Sequence, residues 1–296
     1  MTIPAGPSVA FVQMFENTLE MLSQQMDERL RPHVDVDNNF VGEAKFYPQY
    51  GTDTFTQIMT RYADTPLSLA NLFQRCVFPS FFVSATLEDP QDALATLVDV
   101  KSGFYEAKMY AAARKFDALI IAAATAASTT GSPISGTTTT ALPAAQQLAD
   151  TFGNGATPTG MTKAKMLRAK RLMDAAEVRQ YDRVMVLQAG QLEDLLNSTE
   201  ATSRDFNTVE ALVDGRLTKW CGFDLVHSEQ LTQSGSDTLN IAFQKKGMKL
   251  AIQKNPEGRI DPRIDKNYAW QVYMSISCGA TRMEEVSVVQ AASLNQ

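Results

Sequence analysis

An α+β fold is predicted from three features of the sequence. The first is a long alanine-rich helical pattern, FYEAKMYAAARKFDALIIAAATAAS, over Phe104 to Ser128. The second is a set of alternating apolar and polar runs, in 34–85 and again after Gln230, which read as antiparallel strands. The third is the stretch from Met161 to Gln230. There an amphipathic helix leads into a short apolar strand, a capped helical turn, a second helix closed by Asp214-Gly215, and a strand around Cys221-Gly222-Phe223.

Composition is that of an ordinary globular chain: 296 residues, 44% apolar and 20% charged. That length can bury a substantial core, as one large domain or two smaller ones. The net charge of −6 is spread along the chain with no basic tail, which disfavours specific nucleic-acid readout. The three cysteines, Cys76, Cys221 and Cys278, are far apart and form no zinc spacing, so reduced, mostly packed thiols are expected, in keeping with synthesis in a cytoplasm. The start, MTIPAGPSVAFVQMFENT, has no basic region ahead of an apolar core and does not read as a signal peptide. The longest apolar run, Ala118 to Ala127, is too short to span a bilayer, and the chain reads as soluble with no membrane partner.

Taken in order, Val9 to Leu30 form an amphipathic helix pattern with Phe11, Met14, Phe15, Leu19, Leu22 and Met26 at three- and four-residue spacings, ended by Arg31-Pro32. Its apolar face needs a partner surface. From Val34 to Ala85, aromatic and β-branched residues are dense and punctuated by Gly42, Pro48, Gly51 and Pro66. This predicts a long β hairpin that returns through RCVFPSFFVSATL, and an isolated hairpin cannot bury both of its faces. Asp89-Pro90 suits a first helical turn, and a break is expected near Gly103. The next element, the long helix, presents Phe104, Met109, Ala112, Phe116, Leu119, Ile120 and Ala123 on its apolar side. Glu106, Lys108, Arg114, Lys115 and Asp117 occupy the other positions. Ser128 to Gly160, rich in Thr, Gly, Ser and Pro, reads as a loop and linker with one short helix at Ala144 to Asp150. After Gln230, TLNIAFQKKGMKLAIQ and YAWQVYMSISCGATRMEEVSVVQAA read as strands, interrupted by Pro256, Gly258 and Pro262.

Signals for chemistry are weak throughout. His33 and His227 have no triad or metal spacing around them and read as surface or packed histidines. Asp35 and Asp37, and Asp261 and Asp265, lack the glycine and closing glutamate of a calcium loop, so structural turns are expected. Thr137 to Thr140 lack the Lys-Ser/Thr ending of a phosphate loop, and Gly153-Asn154-Gly155 is too short for a dinucleotide fingerprint. The basic run Lys163 to Arg171 is spread around a helix that also carries Met166, Leu167, Leu172 and Met173, and it reads as a solvated face. No catalytic, cofactor-binding or metal residue is assigned, and no cofactor is expected.

The segment LMDAAEV followed by DRVMVLQAGQLEDLLNS resembles the axial-domain helix–strand–helix of short-tailed-phage capsid proteins. TSRDFNTVEALVDGRLTKWCGFDLVHSEQL is similar to the adjoining stretch in that family, where Asp205-Phe206 begins a helix, Asp214-Gly215 turns it and Gly222-Phe223 enters a strand. The chain thus resembles the major capsid proteins of tailed bacteriophages with the Hong-Kong-97-like fold. The resemblance implies an N-terminal arm at 1–33 and an extended β arm, the E-loop, at 34–86. It also implies a peripheral domain with a spine helix at 87–130 and 232–296, and an axial domain at 131–231. It further implies self-assembly as hexamers and pentamers into an icosahedral head around double-stranded DNA, with a separate scaffolding protein and a portal, in the virion. Lys45 lies in the expected arm, and no crosslinking role is carried over to it. Two other readings are a small hydrolase with dispersed acidic residues and another phage structural component, such as a decoration or tail protein.

Overall fold

The computed structural model describes residues 23–62, 64–67, 71–88, 100–132, 136–155, 157–197 and 219–295. Most of the predicted N-terminal helix, the Asp89-Pro90 turn and the helix from Asp205 to Gly215 lie outside these residues. Where the N-terminal helix was expected to continue, 23–30 is irregular and leads into a single 3-10 turn, Arg31–His33, with Pro32 in its first positions.

The extended region yields four strands: β1 (Asp35–Asp37), β2 (Lys45–Tyr50), β3 (Leu72–Val77) and β4 (Ser80–Glu88). β2 and β3 form the expected hairpin, paired from Lys45↔Val77 to Tyr50↔Leu72. β1 does not belong to that hairpin and instead pairs in parallel with a C-terminal strand. The long helix α1 (Val100–Thr125) is one continuous element that runs through Gly103, where a break was expected. The segment read as a loop folds into a second hairpin, β5 (Ser128–Ser132) and β6 (Gly136–Thr140), followed by a 3-10 turn at Ala144–Gln146 and β7 (Gln147–Leu148). Its threonines pair across the strands, with Thr130 Oγ1 3.0 Å from Thr138 Oγ1. Such cross-strand hydroxyl pairs stabilise a sequence that looks flexible from composition alone.

Then come α2 (Lys163–Ala175), β8 (Arg183–Leu187) and α3 (Ala189–Asn197). β9 (Lys219–Trp220) and β10 (Phe223–His227) follow, then β11 (Gln233–Ser234), β12 (Asp237–Gln244), β13 (Met248–Arg263), β14 (Ala269–Arg282) and β15 (Val288–Leu294). β13 passes through Pro256, Gly258 and Pro262, which were expected to break it. β1 flanks β13 only at 249–251, so both prolines sit where the strand has an open edge and owes no ladder hydrogen bond on that side. Register shifts between Ile252 and Glu257 absorb the irregularity as bulges.

Among the described residues the strands form three sheets, ordered β1-β13-β14-β4, β7-β15-β12-β8-β10-β9 with β11 on β12, and β2-β3-β5-β6. Alternation along β8 and β12 explains how two cores share one sheet. Val184, Val186, Ile241 and Phe243 face the core formed with Phe116, Ile120 and Ala124 of α1 and with Leu250, Met274 and Ile276. Met185, Leu187 and Ala242 face the other core, under Met166, Ala169 and Met173 of α2 and Leu195 of α3. Every residue of β8 is buried, which is why Val184 to Leu187 read as an apolar run, and Arg183 at its start is paired with Asp174.

Candidate functional site: assembly surfaces

The β2–β3 hairpin and the described residues between its strands, 51–62, 64–67 and 71, expose large apolar groups that nothing else in the described molecule covers. Tyr50 is 80% exposed, Met59 84% and Leu67 94%, and Phe55 and Tyr62 stand free in solvent. An exposed apolar set of this density marks a surface that another molecule covers.

The base of this arm is held rigidly. Arg75, buried on β3, donates from Nε to the Met283 carbonyl at 2.8 Å and from Nη1 to Ser128 Oγ at 2.8 Å. Its Nη2 pairs with the Glu285 carboxylate. Gln49 Nε2 adds a bond to the same Met283 carbonyl at 2.9 Å. A Cβ on Gly279 would lie 2.6 Å from the Phe78 carbonyl, so glycine is required there for the junction after β3 to approach β14. At the edge of the hairpin, Asp37 accepts from Lys45 Nζ at 2.5 Å and from Tyr47 Oη at 2.7 Å. Burial alone would push the Asp37 carboxyl up, but these two donors outweigh it and hold the group at about 2. Lys45 is thus an ion-pair partner at the arm base.

β4 and α1 expose apolar groups on opposite faces of their sheet. Phe81, Val83 and Leu87 point away from the helix, because the alternate residues Phe82 and Ser84 meet Lys115 and Lys108 of α1, while Tyr105 and Met109 are exposed on the helix itself. Met109, placed on the apolar side by the pattern, is 38% exposed, whereas Lys108 and Asp117, placed on the polar side, are buried. Lys108 Nζ donates to Ser84 Oγ at 2.9 Å.

Asp117 anchors the chain ahead of β1. Its carboxylate accepts from the backbone of Arg29 at 3.1 Å and of Leu30 at 3.0 Å, and from the Gln25 side chain. Arg114 Nη1 donates to Gln24 Oε1 at 2.7 Å. Arg29 then reaches His227, giving 2.9 Å to Nδ1 and 2.8 Å to the carbonyl, while Nε2 of the ring lies 2.6 Å from Glu229. The two histidines are not brought together. His33 is partly enclosed, and burial lowers its pKa.

Other polar residues serve the fold. The Arg282 guanidinium is fully buried and caps the end of α1, donating to the carbonyls of Ala124 and Ala126 at 2.9 Å each and to Thr140 at 3.1 Å. Lys165, read as part of a solvated face, is wholly buried and donates to the carbonyls of Thr159 and Gly160 at 2.7 and 2.9 Å. Cys221 and Gly222 form the tight turn between β9 and β10, with φ of 50° and 84°. They were expected within a strand. The thiols of Cys76 and Cys278 are buried, and burial raises that of Cys278 to about 11. No helix among the described residues is long and apolar enough to cross a membrane.

A hairpin with an exposed apolar tip, tied at its base by the half-buried Arg75–Glu285 ion pair, defines a protein built to join copies or partners. Comparison with protein families matches a model described as phage capsid protein over residues 8–293, and the chain belongs to that family. It is accordingly a structural component of a phage particle. Its fold is of the Hong-Kong-97-like type. The capsid structure of the Cyanophage P-SCSP1u superposes with a TM-score of 0.75 at 17% identity, covering 97% of this chain and 94% of that one. The capsid of Ralstonia phage GP4 gives 0.72 at 10% identity, over 100% and 98%. The capsid of a native GTA particle computed with C5 symmetry gives 0.68 at 13% identity, over 99% and 98%. Comparison with curated protein sequences finds no match. Family membership sets the hydrolase reading aside.

Proposed function

We propose that this chain is the major subunit of the phage head, assembling as hexamers and pentamers into an icosahedral shell around double-stranded DNA. The exposed apolar tip of the β2–β3 arm carries the reading, because it makes sense only when it lies on a neighbouring subunit. In this reading 1–33 is an N-terminal arm and 34–86 an E-loop. Residues 87–130 with 232–296 make a peripheral domain around the spine helix α1, and 131–231 make an axial domain at the capsomer centre. Rings that close by rotation use the same heterologous contact at every step, and obligate contacts of this kind bury roughly several thousand Å² per subunit. A net charge of −6 suits a wall that encloses DNA without gripping it. Assembly draws on a separate scaffolding protein and a portal, synthesis takes place in the host cytoplasm, and the chain has no catalytic role.

The test removes the tip and keeps the arm closed. Residues 51–71 are replaced by a two-residue Asn-Gly turn between Tyr50 and Leu72, which are already paired across the hairpin. The variant should fold with a melting temperature near that of the parent yet form no shells in electron micrographs. Normal shells from the tipless chain would overturn the proposal.

A further inference from the structure

Among the described residues, Lys108 is a buried cation with no anion beside it. It is 7% exposed, yet its hydrogen bond is to a neutral hydroxyl, Ser84 Oγ, and among the described residues no carboxylate lies within ion-pair distance. Burying an ammonium group without a countercharge is expensive, and such a group gains most from a carboxylate delivered by a partner. It lines a cleft of 240 Å³ between β4, α1 and β14, whose walls include Phe82, Val83, Ala111, Met274 and Ile276. A second cation, Lys115, rests 4.2 Å over the Phe82 ring at the same cleft. Burial holds the Lys108 pKa below its ordinary value, the direction expected when no anion is at hand.

The arm tip is complementary to this cleft. Asp64 is exposed and, among the described residues, makes no hydrogen bond or ion pair. It stands between two fully presented apolar groups, Tyr62 and Leu67, so a carboxylate is flanked by apolar surface. No described residue of the β2–β3 hairpin or of the chain between its strands lines the cleft. We propose that in the assembled shell the Asp64 carboxylate of one copy enters the β4–α1 cleft of a second copy and pairs with Lys108, with Tyr62 and Leu67 against the apolar walls of the cleft. The inference rests on the reading that the arm reaches a neighbour, and it names the acceptor. Apolar contact supplies adhesion, and the single desolvated charge pair sets where along the neighbour the tip stops.

Charge reversal in the full-length chain tests it. Asp64→Lys and Lys108→Glu should each raise the concentration needed for shell formation by about tenfold or more, the factor equivalent to about 1.4 kcal/mol. The double variant, which restores the pair with its sign reversed, should recover most of the loss. Lys108→Met, which keeps the packing and drops the charge, guards against misfolding. It should melt at or above the parent temperature and still assemble poorly. Zero-length carbodiimide coupling of shells built from equal light and nitrogen-15 chains should join Asp64 to Lys108 in mixed light–heavy peptide pairs. Single variants that assemble normally, a double variant no better than the singles, or coupling confined to unmixed pairs would each overturn the assignment. If the tipless chain fails to assemble while the reversal shows no rescue, the arm reading stands and this acceptor is wrong. Normal shells from the tipless chain would remove both.

Discussion

Asp117→Asn should loosen the chain ahead of β1 from the spine helix without unfolding the molecule. The fully buried carboxylate receives two backbone N–H groups, from Arg29 and Leu30, and the Gln25 amide. Hydrogen bonds to a charged acceptor contribute about 1.5–3 kcal/mol each. Asparagine keeps one neutral acceptor oxygen and turns an NH₂ group toward one of the backbone donors, so at least one buried N–H is orphaned. A net loss of about 3 kcal/mol results, which raises the population of the detached segment by roughly a hundredfold. Leu30, also fully buried, still contributes about 2 kcal/mol from apolar burial and keeps the segment mostly docked. The readout is native-state trypsin cleavage at the Arg29–Leu30 bond, whose rate tracks the open population when opening and closing are fast. Cleavage should accelerate by about two orders of magnitude, while the main melting transition moves by only a few degrees. Cleavage at the parent rate would refute the anchoring role of Asp117.

Two further outcomes rest on local geometry. Asp37→Asn should flatten the acid limb of the stability profile. The folded carboxyl sits at about 2, below its ordinary 3.8, so its contribution is present above the ordinary value and lost as pH falls through the folded one. Melting temperature measured from pH 5 down to 2 checks this, and an unchanged slope in that window would count against the Lys45–Asp37–Tyr47 network. Gly222→Ala should cost about 1 kcal/mol from the left-handed backbone alone, lowering the melting temperature by roughly 2–4 °C. A Cβ there meets nothing nearer than Lys170 Nζ at 3.7 Å, so crowding adds nothing, and Cys221→Asn on the same turn should recover part of the loss. An alanine variant with an unaltered melting temperature would mean the turn relaxes freely.

The arm was legible because alternation, aromatic content and turn residues all point the same way between Lys45 and Val77. β8 was legible because a strand buried on both faces reads as an apolar run. The misreadings have physical causes. Proline counts as a breaker only where a strand owes a ladder bond, and Pro256 and Pro262 sit on an open edge. Composition suggested a loop at Ser128 to Thr140, since only a paired strand reveals what a run of threonines does. Lys108 and Asp117 were placed off the apolar face and Lys165 on a solvated face because helical spacing says nothing of partners far away in sequence. Those partners are Ser84 for the first, the backbone at 29–30 for the second, and the carbonyls of 159–160 for the third. The signal that was available, a charge at a position on or beside an apolar stripe, exists for Lys165 beside Met166, but it does not say whether the side chain turns inward or out.

The turn at 283–287 has a mechanical consequence. It joins β14 of one sheet to β15 of another, and it is also the point gripped by Arg75 and Gln49 from the arm. A pull on the arm that reaches this turn is therefore divided between two sheets. Arg282, the residue just before that turn, ties the same point to the end of α1. Load that reaches this point is thus shared among two sheets and the helix, the arrangement of a bracket.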